Sequence, residues 1–170
     1  MKQTILLMLG AALLAPVSSA LAVDDKAPVS KPIRVLAGIF SASNGTNKQR
    51  TSVGVGYDFM KTTMKNPITY GAYVDYNTKK VAGVNLTMTG IGVSGRYYLD
   101  SGDAVGKSYA TAGIGSYTVK AGTSKSKIGG KVGIGHELAN GFLAEVDYTS
   151  VQKIGGKDPG GINARVGYRF

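Results

Sequence analysis

From Ile33 onward, apolar residues recur at every second position in short runs separated by polar, glycine-containing stretches. This is the two-residue period of strands that turn one face toward an apolar environment. Ile33, Val35, Ala37 and Ile39 open the series, with Arg34 on the other face. A second strand, near Thr51 to Phe59, sets Val53, Val55, Tyr57 and Phe59 against Gly54, Gly56 and Asp58. The third, Ile68 to Asn77, sets Ile68, Tyr70, Ala72, Val74 and Tyr76 against Thr69, Gly71, Tyr73 and Asp75. In the fourth, Ile91, Val93, Tyr97 and Leu99 oppose Gly92, Ser94 and Arg96, while Leu86 and Met88 have the wrong parity, which calls for a bulge near Thr89-Gly90 or a later start. The fifth, Ser108 to Val119, leaves its parity open, because Ala110, Ala112 and Ile114 compete with Tyr109, Tyr117 and Val119 for one face. The sixth carries Ile128, Val132, Ile134, His136 and Leu138 against Lys131 and Glu137. The seventh carries Phe142, Ala144, Val146 and Tyr148 against Glu145, Asp147 and Thr149. The eighth alternates Ile162, Ala164, Val166, Tyr168 and Phe170 with Asn163, Arg165, Gly167 and Arg169, and the chain ends on the aromatic itself.

Polar connections punctuate these runs. Loops are expected at Ser41 to Arg50 with its Asn44-Gly45 turn, Lys61 to Pro67, Thr78 to Gly83, Asp100 to Lys107 around Ser101-Gly102-Asp103, Lys120 to Lys127, and Gln152 to Gly160. Ala139-Asn140-Gly141 reads as a three-residue hairpin loop with Gly141 at positive φ, because that form alone keeps Leu138 and Phe142 on one face. For the last hairpin, pairing Val151 with Gly161 would set Asp147 opposite Arg165, with Glu145 diagonal to Arg165 and Arg169.

Ten charges interrupt the strands, and all fall on the face opposite the apolar one: Arg34, Asp58, Asp75, Arg96, Lys131, Glu137, Glu145, Asp147, Arg165 and Arg169. A charge facing hydrocarbon at mid-depth costs about 2–4 kcal/mol, so a one-residue register slip is prohibited in most strands. The apolar face must therefore look outward to lipid and the charged face inward. Five cations meet five anions there, and an eight-stranded barrel has an interior just wide enough for side chains to fill. A packed, charge-paired lumen follows, not a wide pore. Most of the excess behind the net charge of +10 then lies outside the apolar strands, with Lys48, Arg50, Lys79, Lys80, Lys120, Lys125, Lys127, Lys153 and Lys157 in expected loops. Tyrosines at strand ends (Tyr57, Tyr70, Tyr76, Tyr97, Tyr148 and Tyr168) suit interfacial girdles.

The terminal strand, with apolar residues at alternate positions and a final Phe170, resembles the last strand of bacterial outer-membrane β-barrels, which their assembly machinery reads as an insertion signal. By pattern the whole chain is similar to small eight-stranded bacterial outer-membrane β-barrel proteins of the OmpX/OmpA transmembrane-domain type. The resemblance implies an all-β, eight-stranded antiparallel up-and-down transmembrane β-barrel over residues 33–170, a monomer, with Tyr168 and Phe170 as the assembly signal. It also implies that the long connections face outward, where basic residues meet outer-membrane lipid. Two readings of these cations stand: solvated loop lysines, or a contact with lipopolysaccharide phosphates at roughly 1 kcal/mol per charge by analogy with other anionic surfaces. Residues 1–22 read as a signal peptide: Lys2, the apolar run Ile5 to Leu14, and the small-x-small site Ala20-Leu21-Ala22. Pro16 and the short run exclude a spanning helix there. Residues 23–32, without periodicity, read as a short periplasmic tail. An exported chain does not meet nucleic acid in service, so the basic charge does not point that way. Cysteine is absent, which removes thiolate metal sites and leaves the closed hydrogen-bond ladder to stabilise the fold.

Candidate chemistry is sparse. The sole histidine, His136, invites comparison with the barrel deacylases of lipopolysaccharide, which use a His-x-Ser pair and a Glu, but two positions after His136 stands Leu138, and Glu137 and Glu145 fall on the other face. Gly113-Ile114-Gly115 and Gly133-Ile134-Gly135 lack the strand-to-helix context of a phosphate loop, and Asp158-Pro159-Gly160 reads as a turn. The sequence therefore predicts no catalytic, cofactor-binding or metal-binding residues, and a structural or interaction barrel that is not an enzyme. Transport of a small or apolar solute, or lipid modification, are the alternatives.

Overall fold

The computed structural model describes residues 26–27, 31–43, 49–62, 68–81, 84–99, 106–154, 156 and 158–170. The expected signal segment, Asn44-Gly45, Ser101-Gly102-Asp103, Lys48 and Lys157 lie outside the described residues. Eight strands form the wall: β1 (Ile33–Ala42), β2 (Gln49–Thr62), β3 (Ile68–Val81), β4 (Val84–Leu99), β5 (Gly106–Ala121), β6 (Thr123–Leu138), β7 (Phe142–Val151) and β8 (Gly161–Arg169). Each is antiparallel to the next, and β8 returns to β1 with Tyr168 opposite Val35 and Val166 opposite Ala37. The result is a closed, all-β, eight-stranded antiparallel barrel. Closure leaves no strand edge with unpaired amides, which is the condition for a sheet to stand in hydrocarbon.

Side-chain placement is inside out relative to a soluble protein. Ile134 and Val166 are 69% and 67% exposed, whereas Arg96 and Asp147 are each 1% exposed. Only an apolar surrounding makes that distribution favourable, since the outer apolar surface is then not held against water. At the end carrying the chain termini, Phe142, Tyr168 and Phe170 form an edge-to-face series with centroids 5.2 and 4.9 Å apart. Tyr57 and Tyr76 are exposed on the outer face, and Tyr70 shares the parity of exposed Ala72, Val74 and Tyr76 but is covered. Its ring lies across Gly95, within 3.6 Å of where a Cβ would stand, and is buried.

Several expectations are corrected. β4 runs unbroken from Val84, without a bulge, and Met88 points inward at 1% exposure. The register irregularity lies instead in β2, between Asp58 and Met60. In β5 the parity is set by Tyr109, Thr111 and Tyr117 facing inward and Ile114 outward. Thr78 to Gly83 and Lys120 to Lys127 are largely strand rather than loop. β3 continues to Val81, and β5 meets β6 across Gly122 at φ 82°. A backbone ladder needs no apolar face once it projects past the apolar band, and there Thr118 and Ser126 pair their hydroxyls at 2.8 Å. The expected tail is partly tied down, since Lys26–Ala27 forms a two-residue strand against Thr62 and Lys61 of β2.

The β6–β7 hairpin has Gly141 at φ 97°, with its N–H donating to the Leu138 carbonyl at 2.9 Å, and Leu138 and Phe142 share the outer face. In the β7–β8 hairpin the register is two residues away from the expectation: Glu145 is opposite Arg165, and Asp147 opposite Asn163. A two-residue shift leaves every side chain on its own face, so alternation cannot distinguish the two pairings. The connection decides instead, with Gly160 donating its N–H to Asp158 Oδ1 at 2.9 Å and accepting from the Ser43 N–H at 2.8 Å.

Candidate functional site

The lumen is filled in two different ways. Toward the chain termini lie the ten strand charges. Nine of them are buried, and the tenth, Glu137, is half-buried. Arg165 on β8 donates to Asp75 on β3 at 2.5 Å, to Glu145 on β7 at 2.9 Å and to Asp147 on β7 at 2.5 Å. Lys131 on β6 bonds Asp75 from the other side at 2.9 Å. Nearer the termini, Asp58 gathers Arg96, Arg34 at 3.4 Å and Arg169 at 2.9 Å, and Arg169 also meets Glu137 at 2.8 Å. Arg34 approaches Glu145 at 3.9 Å and joins the two clusters into one network. Neutral side chains add further bonds to the acids: Tyr98 donates to Glu137 at 3.0 Å, Tyr109 to Glu145 at 3.0 Å, and Asn163 to Asp147 at 2.8 Å. Buried charges tolerate burial only when paired and hydrogen-bonded in this manner.

Toward the far end the filling is apolar. Phe40, Ala42, Tyr73, Met88, Tyr117 and Val151 pack together, each no more than 4% exposed. Two glycines make the room: a Cβ at Gly90 or Gly129 would stand 2.6 or 2.8 Å from the Tyr117 ring. The Tyr117 and Tyr73 hydroxyls meet at 2.8 Å, and Lys131 Nζ lies 3.7 Å from the Tyr73 ring centroid, so this pair forms the seam with the charged half. Arg50, expected in a loop, is a wall residue of β2 facing Phe40, 5.4 Å from its ring. Among the described residues it is the buried cation with no carboxylate partner.

On the outer wall, His136 of β6 faces Ser108 of β5 directly, with Ser108 Oγ 3.1 Å from Nδ1. A search along one strand could not find this serine, because it arrives from the neighbouring strand. Beside the pair lies a depression of about 810 Å³ where Ala37, Ala144 and Ala164 stand low among Ile134, Val146 and Val166. A serine hydroxyl bonded to an imidazole is the start of a nucleophile–base relay. Among the described residues no carboxylate bonds the imidazole, and Glu145 faces the lumen.

A family model described as outer membrane protein beta-barrel domain matches residues 7–170. Solved structures share the architecture. The outer membrane enzyme PagL superposes with a TM-score of 0.63 at 16% identity, over 81% of this chain and 98% of that one. Neisserial surface protein A gives 0.59 at 18% identity, over 81% and 94%. The N-terminal β-barrel domain of Pseudomonas aeruginosa OprF gives 0.51 at 12%, over 82% and 98%. At such identities the likeness is one of fold. No curated protein matches the sequence. The expectation that the chain is not an enzyme is corrected by the first of these likenesses, since a barrel of this shape also serves an outer-membrane enzyme, and fold alone does not separate the classes.

Proposed function

The chain belongs to the outer membrane protein β-barrel domain family and resides in the bacterial outer membrane, and from that premise we propose that it is a structural and interaction barrel. In this reading a sealed lumen keeps the envelope tight, and the far end, facing outward, presents a short basic rim to lipopolysaccharide phosphates. One contrast carries the reading: the five cations of the charged half of the lumen have carboxylate partners, while Lys79, Lys80, Lys120, Lys125 and Lys127 of the far-end ribbons have none among the described residues. Residues 1–22 are removed as a signal peptide, residues 23–32 remain on the periplasmic side, 33–170 form the barrel, and Tyr168 and Phe170 address it to the assembly machinery as a monomer. The test is planar-bilayer conductance of the purified protein, with no stable open channel expected. Steady ohmic steps would overturn the sealed lumen.

A second reading, hydrolysis of a lipid ester at the outer wall, is favoured by the Ser108–His136 bond beside the alanine-floored depression. Acyl release from vesicle phospholipid that disappears in Ser108→Ala would support it, and release unchanged in that variant would remove it.

A further inference from the structure

The depression beside Ser108 and His136 is built from two cross-strand rows of the outer wall. One row runs Ser108, His136, Ala144, Val166 and Ala37, from β5 through β6, β7 and β8 to β1. The other, nearer the far end, carries Ile134, Val146, Ala164 and Ile39. The four larger side chains stand exposed, and Ala37, Ala144 and Ala164 form a floor among them. This floor slants. Ser108 and His136 lie two residues from the terminal ends of β5 and β6, whereas Ile39 lies six from that of β1. At about 3.3 Å per residue and a strand tilt of about 45°, those four further residues lead about 9 Å deeper into the wall. Phe142 and Tyr168 pair one row nearer the termini than Ala144 and Val166, and such aromatics mark the boundary with water. The Ser108–His136 pair therefore stands at the level of lipid ester groups, and the alanine floor leads from it into the hydrocarbon.

Hydrogen bonding points to the same occupant. In either tautomer of His136 the shared bond uses one donor and leaves another, the Ser108 O–H or the His136 Nε2–H. A donor on a lipid-facing wall is costly without an acceptor, and at this level lipids offer an ester carbonyl. We propose that the depression seats one acyl chain of a glycerophospholipid from the leaflet at the end carrying the chain termini. The ester carbonyl accepts the remaining donor, and the chain lies over Ala144, Ala164 and Ala37. Hydrocarbon gains little by leaving other hydrocarbon, so shape and that one hydrogen bond hold the chain. Across four inter-strand gaps of about 4.8 Å the floor is about 19 Å long, room for one slanting chain from a leaflet about 15 Å deep. The inference deepens the ester-hydrolysis reading, because it names the lipid that reading would act on, and rests on the same site.

The mature barrel, refolded into vesicles of ether-linked phosphatidylcholine, tests the seat with a trace of phosphatidylethanolamine bearing a photoactivatable diazirine near the end of one ester-linked chain. Adducts are mapped by mass spectrometry. Labelling over Ala37 to Ile39 and Ala164 to Val166 should exceed that over Val74 to Tyr76 and Ile91 to Val93 about fivefold, as one net hydrogen bond allows. Ala164→Phe, which fills the floor, should abolish the excess. So should Ser108→Ala combined with His136→Leu, which removes the donors, whereas Val55→Phe elsewhere on the wall should not. A fully ether-linked probe should show no excess. Equal labelling of the two regions, an excess that survives Ala164→Phe, or an equal excess with the ether-linked probe overturns the proposal. Labelling below that of the other region, as a second copy of the chain seated there would give, overturns it as well. Acyl release from the ester-linked probe is followed in parallel, so that either reading can fail alone: an excess without release removes only hydrolysis, and release without an excess removes only the seat. Gel mobility before and after boiling shows that each variant is a folded barrel.

Discussion

Toward the chain termini the lumen is filled by five cations and five anions from the strands, whereas toward the far end it is filled by Phe40, Met88, Tyr117 and Val151. The two fillings close the same bore by different physics. Ion pairs are directional, so each acid in the charged half must find its base at one register. Apolar packing depends on area and volume, so the far half accepts other shapes of similar size. The largest expected effect breaks the charged half. Arg165→Met removes the cation shared by Asp75, Glu145 and Asp147, leaving Asp147 without an ion-pair partner among the described residues, and should cost about 3–5 kcal/mol in urea unfolding from lipid vesicles. Adding Asp147→Ala should then cost less than the sum of the two single losses, and additive losses would break the pairing. Next, Phe40→Ala should cost about 3 kcal/mol, but Phe40→Leu less than about 1.5 kcal/mol, if the far half tolerates shape changes. At the seam, Tyr117→Phe removes only the hydroxyl pair with Tyr73, an expected loss of about 1 kcal/mol by the same unfolding measurement. The smallest effect has the opposite sign: in phosphate-free detergent Arg50→Met should leave stability unchanged or raise it by about 0.5 kcal/mol, because no partner is orphaned. A loss comparable to that at Arg165 would erase the distinction between the two arginines.

The same division explains what could be read from the sequence. Alternation located β1, β2, β7 and β8 and put the ten charges on one face, because in those strands apolar meant lipid and polar meant lumen. It faltered at Met88, Tyr109 and Tyr117, since part of the lumen is itself apolar and the partners of Tyr117 are glycines, which carry no hydropathy signal. The glycine-rich runs of β4 and β6 beside an inward tyrosine were the available clue. The register of the last hairpin and the Ser108–His136 bond were hidden for another reason. Both depend on which residues of two strands stand opposite, a quantity that two-residue periodicity does not contain. Arg50 looked like one more loop cation until the wall was seen to extend around it.

Arg165 lies on the last strand of the chain, and one of its carboxylates, Asp75, is 90 residues earlier. Because a chain emerges from its N-terminus, Asp75, Glu145 and Asp147 are all made before the guanidinium they share. Docking of β8 against β1 closes the ring and brings Arg165 to them in the same movement. Completion thus comes late: a copy that stops short of Arg165 lacks two of the five lumen cations, Arg165 and Arg169, which leaves Asp75 with Lys131 alone, Glu145 with only the longer contact to Arg34, and Asp147 without an ion-pair partner among the described residues.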